Sequence, residues 1–196
     1  IEALTIAGAL TGVQTSGTGI SGSGAGAGSG NTVRNTGRAR VRNGSTVTAD
    51  GTVTITATDA LSDDEKSRIE ADAGGVAIAL ALASKSSTTV NVTFGVSVAI
   101  NDIENTIESL VDDSTVTSGG DLALTAESDI EIDALTIAGA LSGTVASQQG
   151  GLTVDIAGAG AGSGNTITNT VSATIENGST VTTNNGGDVS LLATDD

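Results

Sequence analysis

Three pairs of adjacent acids, Asp63-Asp64, Asp112-Asp113 and Asp195-Asp196, are the groups in this chain that come nearest to chemistry. Two carboxylates can share acid and base roles in hydrolysis, or supply oxygen ligands to a hard cation. Neighbouring residues of a strand point to opposite faces, so these pairs do not converge on one substrate atom. The chain has no His and no Cys, which excludes His-based triads, Cys nucleophiles and Cys/His zinc sites. A polysaccharide-cleaving cleft needs basic and aromatic side chains, and the single aromatic residue is Phe94. No enzymatic activity is expected.

Calcium is the one cofactor with candidate ligands. Asp63, Asp64 and Glu65 offer oxygens within the acidic stretch LSDDEKSRIEAD at 61–72. Repeats that hold calcium between coils use G-G-x-G-x-D-x-U-x turns, and NNGGDVS at 184–190 is only a partial echo. A solvated acidic face is favoured over a metal site. Ser62-Asp63-Asp64-Glu65 also has the form of a helix capping box, which predicts a short surface helix or loop. Thr52, Thr54, Thr56 and Thr58 share one strand face, as an ice-binding surface requires. The aligned Asp121, Ala123, Thr125 and Glu127 do not extend that file, nor do Asp188, Ser190 and Leu192. Asn43, Asn91 and Asn177 head Asn-x-Ser/Thr triplets, the glycosylation acceptor pattern.

Seven basic residues against 23 acidic ones give a net charge of −16. Nucleic acid is therefore not an expected partner, because phosphates require basic patches. Thr, Val, Ile and Gly favour strands and turns, and the hydrophobic share of 37% is too high for a disordered polar chain. The absence of Cys fits an exported protein. The longest apolar run, 76–83, is far shorter than a membrane span, and no membrane insertion is expected. The pattern starts and stops in mid-repeat, so an excerpt of a longer protein is expected.

Whatever these groups do, a repeated frame must hold them. IEALTIAGALTG at 1–12 matches IDALTIAGALSG at 132–143, and NGSTVT at 43–48 recurs at 177–182. A more divergent copy lies between. Asn31, Asn35 and Thr36 align with Asn101, Asn105 and Thr106, then with Asn165, Asn169 and Thr170. The arrangement is A-B-A. The expected divisions are repeat 1 at 1–68, with an acidic insertion near 61–68, repeat 2 at 69–131 and repeat 3 at 132–196. Such repetition predicts an all-β parallel β-solenoid (β-helix), one continuous rod in which each copy buries its apolar edge on its neighbours. A β-sandwich is the alternative, yet sandwiches do not require one strand to recur in register in every copy.

Alternation assigns the faces. Val90, Val92, Phe94, Val96, Val98 and Ile100 occupy every second position. That predicts a strand with this row buried and Asn91, Thr93, Gly95, Ser97 and Ala99 opposite. The apolar parity switches at Asn101-Asp102, which predicts a bend or bulge. Beyond it Ile103, Ile107 and Val111 form the inner row, continued by Leu122, Leu124, Ala126, Ile130 and Ile132. Copy three repeats the theme with Ile167, Val171, Ile175, Val189 and Leu191.

In the row expected to be buried, copy one has Gly24, Gly26, Gly28 and Gly30 where copy two has Phe94, Val96, Val98 and Ile100. Copy three has Gly158, Gly160, Gly162 and Gly164 there. Rows of glycine in a strand mean a close approach, here room for the bulk of a neighbouring copy. On the other parity Arg34, Arg38 and Arg42 align with Glu104, Glu108 and Asp112. Both relations require the copies to be direct neighbours. Coils of about 20–29 residues would place about three in each copy. No sub-repeat of that length is found, so one wide, flattened coil per copy is expected, with Arg38 beside Glu108. Asn35, Asn105 and Asn169 fall on the inner parity, where they form either an asparagine ladder or separate turn contacts.

The run GVSVAINDIENTIESLVDDSTVTSGGDLALTAESDIEI (95–132) has a Gly/Ser-Val-Ala-Val-Asn strand, an Asn-Thr strand, then Ser-x-Val and alternating Val/Ala. This pattern resembles repeat regions of giant bacterial surface adhesins, the filamentous-haemagglutinin-like proteins and the fusobacterial type of autotransporter passenger. The resemblance implies a parallel β-solenoid, export to an extracellular or cell-surface location, and a role as stalk, fibre or adhesive surface. It carries over no functional residue. The expected function is a stiff structural segment of such an adhesin, with its own repeats or subunits as partners along a rod or filament. A segment binding host or matrix carbohydrate, or calcium, is the alternative, and an ice-binding solenoid a lesser one.

Overall fold

A computed structural model describes residues 1–59, 67–83, 88–146 and 151–196. These residues form twelve strands: β1 (Glu2–Thr15), β2 (Gly19–Val41), β3 (Thr46–Ala49), β4 (Val53–Thr58), β5 (Ser67–Ala83), β6 (Thr89–Asp112), β7 (Thr115–Ser118), β8 (Leu122–Ser128), β9 (Ile130–Ala146), β10 (Thr153–Glu176), β11 (Thr180–Thr183) and β12 (Val189–Asp195). The fold is an all-β parallel β-solenoid of three homologous repeats. Its sheets have the orders β1-β5-β9, β10-β6-β2, β11-β7-β3 and β12-β8-β4. Each copy gives one strand to every sheet, and copy two is central in all of them. One repeat is therefore one wide coil, and Arg38 lies beside Glu108, with Nε 3.4 Å from Oε2.

Turn chemistry sets the register. Copies one and three leave their second strand through two left-handed residues, Asn43-Gly44 and Asn177-Gly178, whereas copy two uses Asp113 alone. Gly, Asn and Asp are the residues that tolerate this conformation. The Gly44 N–H donates to the Asp113 carbonyl at 2.6 Å, and Thr46 then pairs with Thr115.

Two compact units cut across the repeats. One comprises Thr32–Ile69, Asp102–Ile132 and Thr166–Asp196. Its interior follows the sequence pattern: Ile103, Ile107, Val111, Val116, Leu122, Leu124 and Ala126 are fully buried. Ala39, Val41, Val47, Val53, Ala173, Ile175 and Val181 cover this core from copies one and three. Each fully buried Ile, Val or Leu contributes about 1.5–3 kcal/mol relative to exposure. Val189 and Leu191 occupy the positions of Leu122 and Leu124 but stay about half exposed, because the third copy ends the stack of described coils.

The other unit comprises Ile1–Asn31, Glu70–Asn101 and Asp133–Asn165. Here sheet β1-β5-β9 lies against the first half of β10-β6-β2, and the layer between them is made of small residues. Ala71, Ala73, Ala77, Ala79 and Ala81 meet Thr89, Asn91, Thr93, Ser97, Ala99 and Asn101, all buried. This corrects the expected faces. The row Val90 to Ile100 points outward, with Phe94 56%, Val96 51%, Val98 41% and Ile100 57% exposed. The expected parity switch at Asn101-Asp102 does not occur. β6 keeps one parity inward from Thr89 to Val111, so bulk changes sides while the backbone does not.

The physical reason is backbone proximity. A Cβ at Gly95 would overlap the Gly139 carbonyl oxygen and lie 3.2 Å from that of Gly75. A Cβ at Gly75 would lie 2.7 Å from the Val96 carbonyl oxygen. Two rows of Val, Ile and Leu facing each other would force these backbones apart. The close approach also lets side chains bond across it: Thr11 Oγ1 donates to Gly22 O at 2.9 Å, and Asn91 Nδ2 to Gly143 O at 3.1 Å.

Candidate interaction surface

The residues that β6 turns outward form a ridge. Phe94, Val96, Val98 and Ile100 stand in file on the central strand, with β2 and β10 on either side. The outward positions of β2 are Gly22, Gly24, Gly26, Gly28 and Gly30, and those of β10 include Gly158, Gly160, Gly162 and Gly164. Copies are thus in the expected lateral register, with glycine beside bulk, but on a surface rather than in a core.

That change of face alters what the glycines explain. A Cβ at Gly22, Gly24, Gly26 or Gly28 would meet only a backbone oxygen at 3.8–4.0 Å, an ordinary contact. At Gly160, Gly162 and Gly164 it would meet nothing within 4 Å. Only Gly30, 3.2 Å from the Ile100 carbonyl oxygen, and Gly158, 3.2 Å from Phe94 Cδ1, are crowded by the chain itself. None of these glycines has positive φ. Each costs about 0.5–1 kcal/mol relative to Ala in a strand, and packing within the chain does not require most of them.

The opposite outer face of this unit, on β1-β5-β9, is also apolar. Leu4, Ile6, Leu10, Leu80, Leu82, Leu135, Ile137 and Leu141 are all exposed there. Glycine again sits beside bulk: a Cβ at Gly139 or Gly143 would lie 3.7 Å from a side-chain carbon of Val76 or Leu80 respectively. Acids appear only at its start, where Glu2 pairs with Glu70 and Leu4 with Asp72.

Polar files tie the copies together, and the asparagine ladder runs where it was not expected. Asn31 Nδ2 donates to Asn101 Oδ1 at 3.1 Å, and Asn101 Nδ2 donates to Asn165 Oδ1 at 2.9 Å. Asn35, Asn105 and Asn169 do not bond one to the next. Asn105 donates to Asp59 and, at 3.0 Å, to Ser128, while Asn169 donates to Asp195 at 2.6 Å. Asn35 is exposed. An inward Asn on a strand takes whichever acceptor its row faces, and here that row is Asp59, Ser128 and Asp195. The repeat alignment held the signal for the other file, since Asn31, Asn101 and Asn165 recur in every copy.

Charge pairs follow the register. Arg34 Nε lies 3.1 Å from Glu104 Oε2, with both side chains about two-thirds exposed, so the pair contributes about 0–1 kcal/mol. Glu108 takes both Arg38 and Arg40 and is better covered. Arg40 shares the parity of Arg34 and Arg38, which is how the sequence marks it.

The candidate calcium ligands Asp63, Asp64 and Glu65, and the capping box with them, lie outside the described residues. Among the described residues no three acidic side chains gather as a metal site would need. Asn91 is completely buried and donates to Thr144 Oγ1 at 2.8 Å and Asp155 Oδ1 at 2.6 Å, so it is no glycan acceptor in the folded chain. Thr54, Thr56 and Thr58 face outward beside Ala123, Thr125 and Glu127, a file that does not continue across the copies. Among the described residues no helix is long and apolar enough to cross a membrane. Comparison with protein families, with curated proteins and with solved structures finds no match.

Proposed function

We propose that the chain is a structural segment of an exported bacterial surface protein, a stalk or fibre element of the large-adhesin kind. The observation that carries this reading is register. Each copy lays one strand into every sheet, and copy two is flanked on both sides by the same strand of a homologous copy. A frame of this kind lengthens by adding copies, about 4.8 Å for each. Its stiffness comes from ladder hydrogen bonds, the asparagine file and the buried apolar rows, all of which recur with the repeat.

Electron microscopy of chains carrying increasing numbers of the repeat tests the proposal. Particle length is expected to grow by about 4.8 Å per copy while the cross-section stays constant. Length independent of copy number would overturn it. Saturable binding of Ca²⁺ or an oligosaccharide, with a rise in melting temperature, would move the assignment to a ligand-binding adhesin segment.

A further inference from the structure

The scaffold reading leads to a question of how such segments meet, and the outer face of β10-β6-β2 in the first unit answers it. That face is a ridge between two flats: Phe94 to Ile100 stands above the glycine files of β2 and β10. Most of these glycines have room for a Cβ within their own chain and adopt no glycine-only conformation. Glycine rows mark a close approach, and most of these rows are not closely approached by their own chain. The outward positions from Ile20 to Gly30, Val90 to Ile100 and Val154 to Gly164 are all Ile, Val, Phe or Gly, in a chain of net charge −16. No self-repulsion is built into this face.

We propose that this face docks on the same face of a second copy of the chain, ridge into flat. Ridge and flat are adjacent strands, about 4.8 Å apart, and both repeat every second residue. They are also in register, with Gly26 beside Val96 and Gly28 beside Val98. A two-fold axis parallel to the strands, midway between β6 and a flanking strand, sets each ridge over the partner's glycines at the same height. The contact is isologous and closes as a dimer. With the axis so placed two strands of each copy face one another over about a dozen residues, roughly 10 by 40 Å, on the order of 400 Å² in plan. Stable dimers bury about 800 Å² per partner, so the pairing is reversible and strengthens as copies are added. A lipid surface is the other apolar occupant, but fluid acyl chains mould to any apolar relief and do not call for glycine files set in register with a ridge.

Sedimentation velocity on the 196-residue chain over a range of concentrations tests this, with two variants. Phe94→Lys/Val98→Lys puts charge on the exposed ridge. Gly26→Val/Gly28→Val/Gly160→Val/Gly162→Val fills both flats with residues that favour strands. The wild-type chain is expected to dimerise, and each variant to dissociate at least about tenfold more readily with its strand circular dichroism intact. A wild-type chain still monomeric at about 1 mM overturns the proposal, as does association that both variants leave unchanged. So does capture of the wild type by phosphatidylcholine vesicles, without dimers, that the lysine variant abolishes. Any of these results together with length that still grows per copy leaves the scaffold reading standing.

Discussion

Phe94 leans on Gly158: a Cβ at that glycine would come within 3.2 Å of Phe94 Cδ1 and 3.3 Å of Cε1. The two residues sit on adjacent strands of one sheet and belong to neighbouring copies. Bulk and glycine are therefore side by side, as the repeats align them, and both face outward. Two positions on, Gly160 has open space where its Cβ would be. Glycine on this face answers to the chain at one position and not at the next.

The inner glycines are different in kind, and paired substitutions separate them. Gly95→Ala drives a methyl group into the Gly139 carbonyl, which only a backbone shift can relieve. A loss of about 1–3 kcal/mol or more is expected. Gly160→Ala adds a methyl group to open space and restricts the unfolded chain, so a gain of about 0.5–1 kcal/mol is expected. Thermal unfolding followed by circular dichroism reads both. Equal effects at the two sites would contradict the assignment of faces.

Ile100 and Ile103 provide the same test with bulk. They lie three residues apart in β6, one 57% exposed and the other fully buried. Ile103→Ala is expected to cost about 2–5 kcal/mol through lost burial and a cavity. Ile100→Ala should stay within about 0.5 kcal/mol when measured dilute enough to keep the chain monomeric. Urea denaturation gives both values, and a large loss at Ile100 would return the apolar row to an interior.

These contrasts show what the sequence makes legible. Register is readable because homologous copies stack directly, so equal positions become neighbours: Arg34 meets Glu104, Val47 pairs with Val116 and Thr56 with Thr125. The interior around Ile107 and Leu124 is readable because bulk goes inward there. In the other unit alternation still separates two faces, but period two alone does not say which one is inside. The bulky row is the usual choice. What decided otherwise was a partner sheet whose own inner row is Ala71, Ala73, Ala77, Ala79 and Ala81, a match only for small residues. One clue lay in the chain. Counting back from Ile103 in steps of two reaches Asn101, Ala99, Ser97 and Gly95 without a bulge.

The asparagine file gives the sharpest separation between neighbours of one residue type. Asn101 is 1% exposed and stands in the middle, accepting from Asn31 and donating to Asn165. Asn101→Ala removes both bonds at once. It leaves the Asn31 amide with the Glu70 carbonyl, 3.0 Å away, as its remaining partner. Each lost hydrogen bond costs about 0.5–1.5 kcal/mol, so the loss of both is expected to cost about 1–3 kcal/mol. Asn165→Ala breaks one link of the file at an exposed position and should cost less. Asn35→Ala, on an exposed residue, should change stability by no more than about 0.5 kcal/mol. The expected order of loss is Asn101, then Asn165, then Asn35, read from denaturation midpoints at constant slope. If Asn35→Ala proved as damaging as Asn101→Ala, the stabilising ladder would lie on the other row.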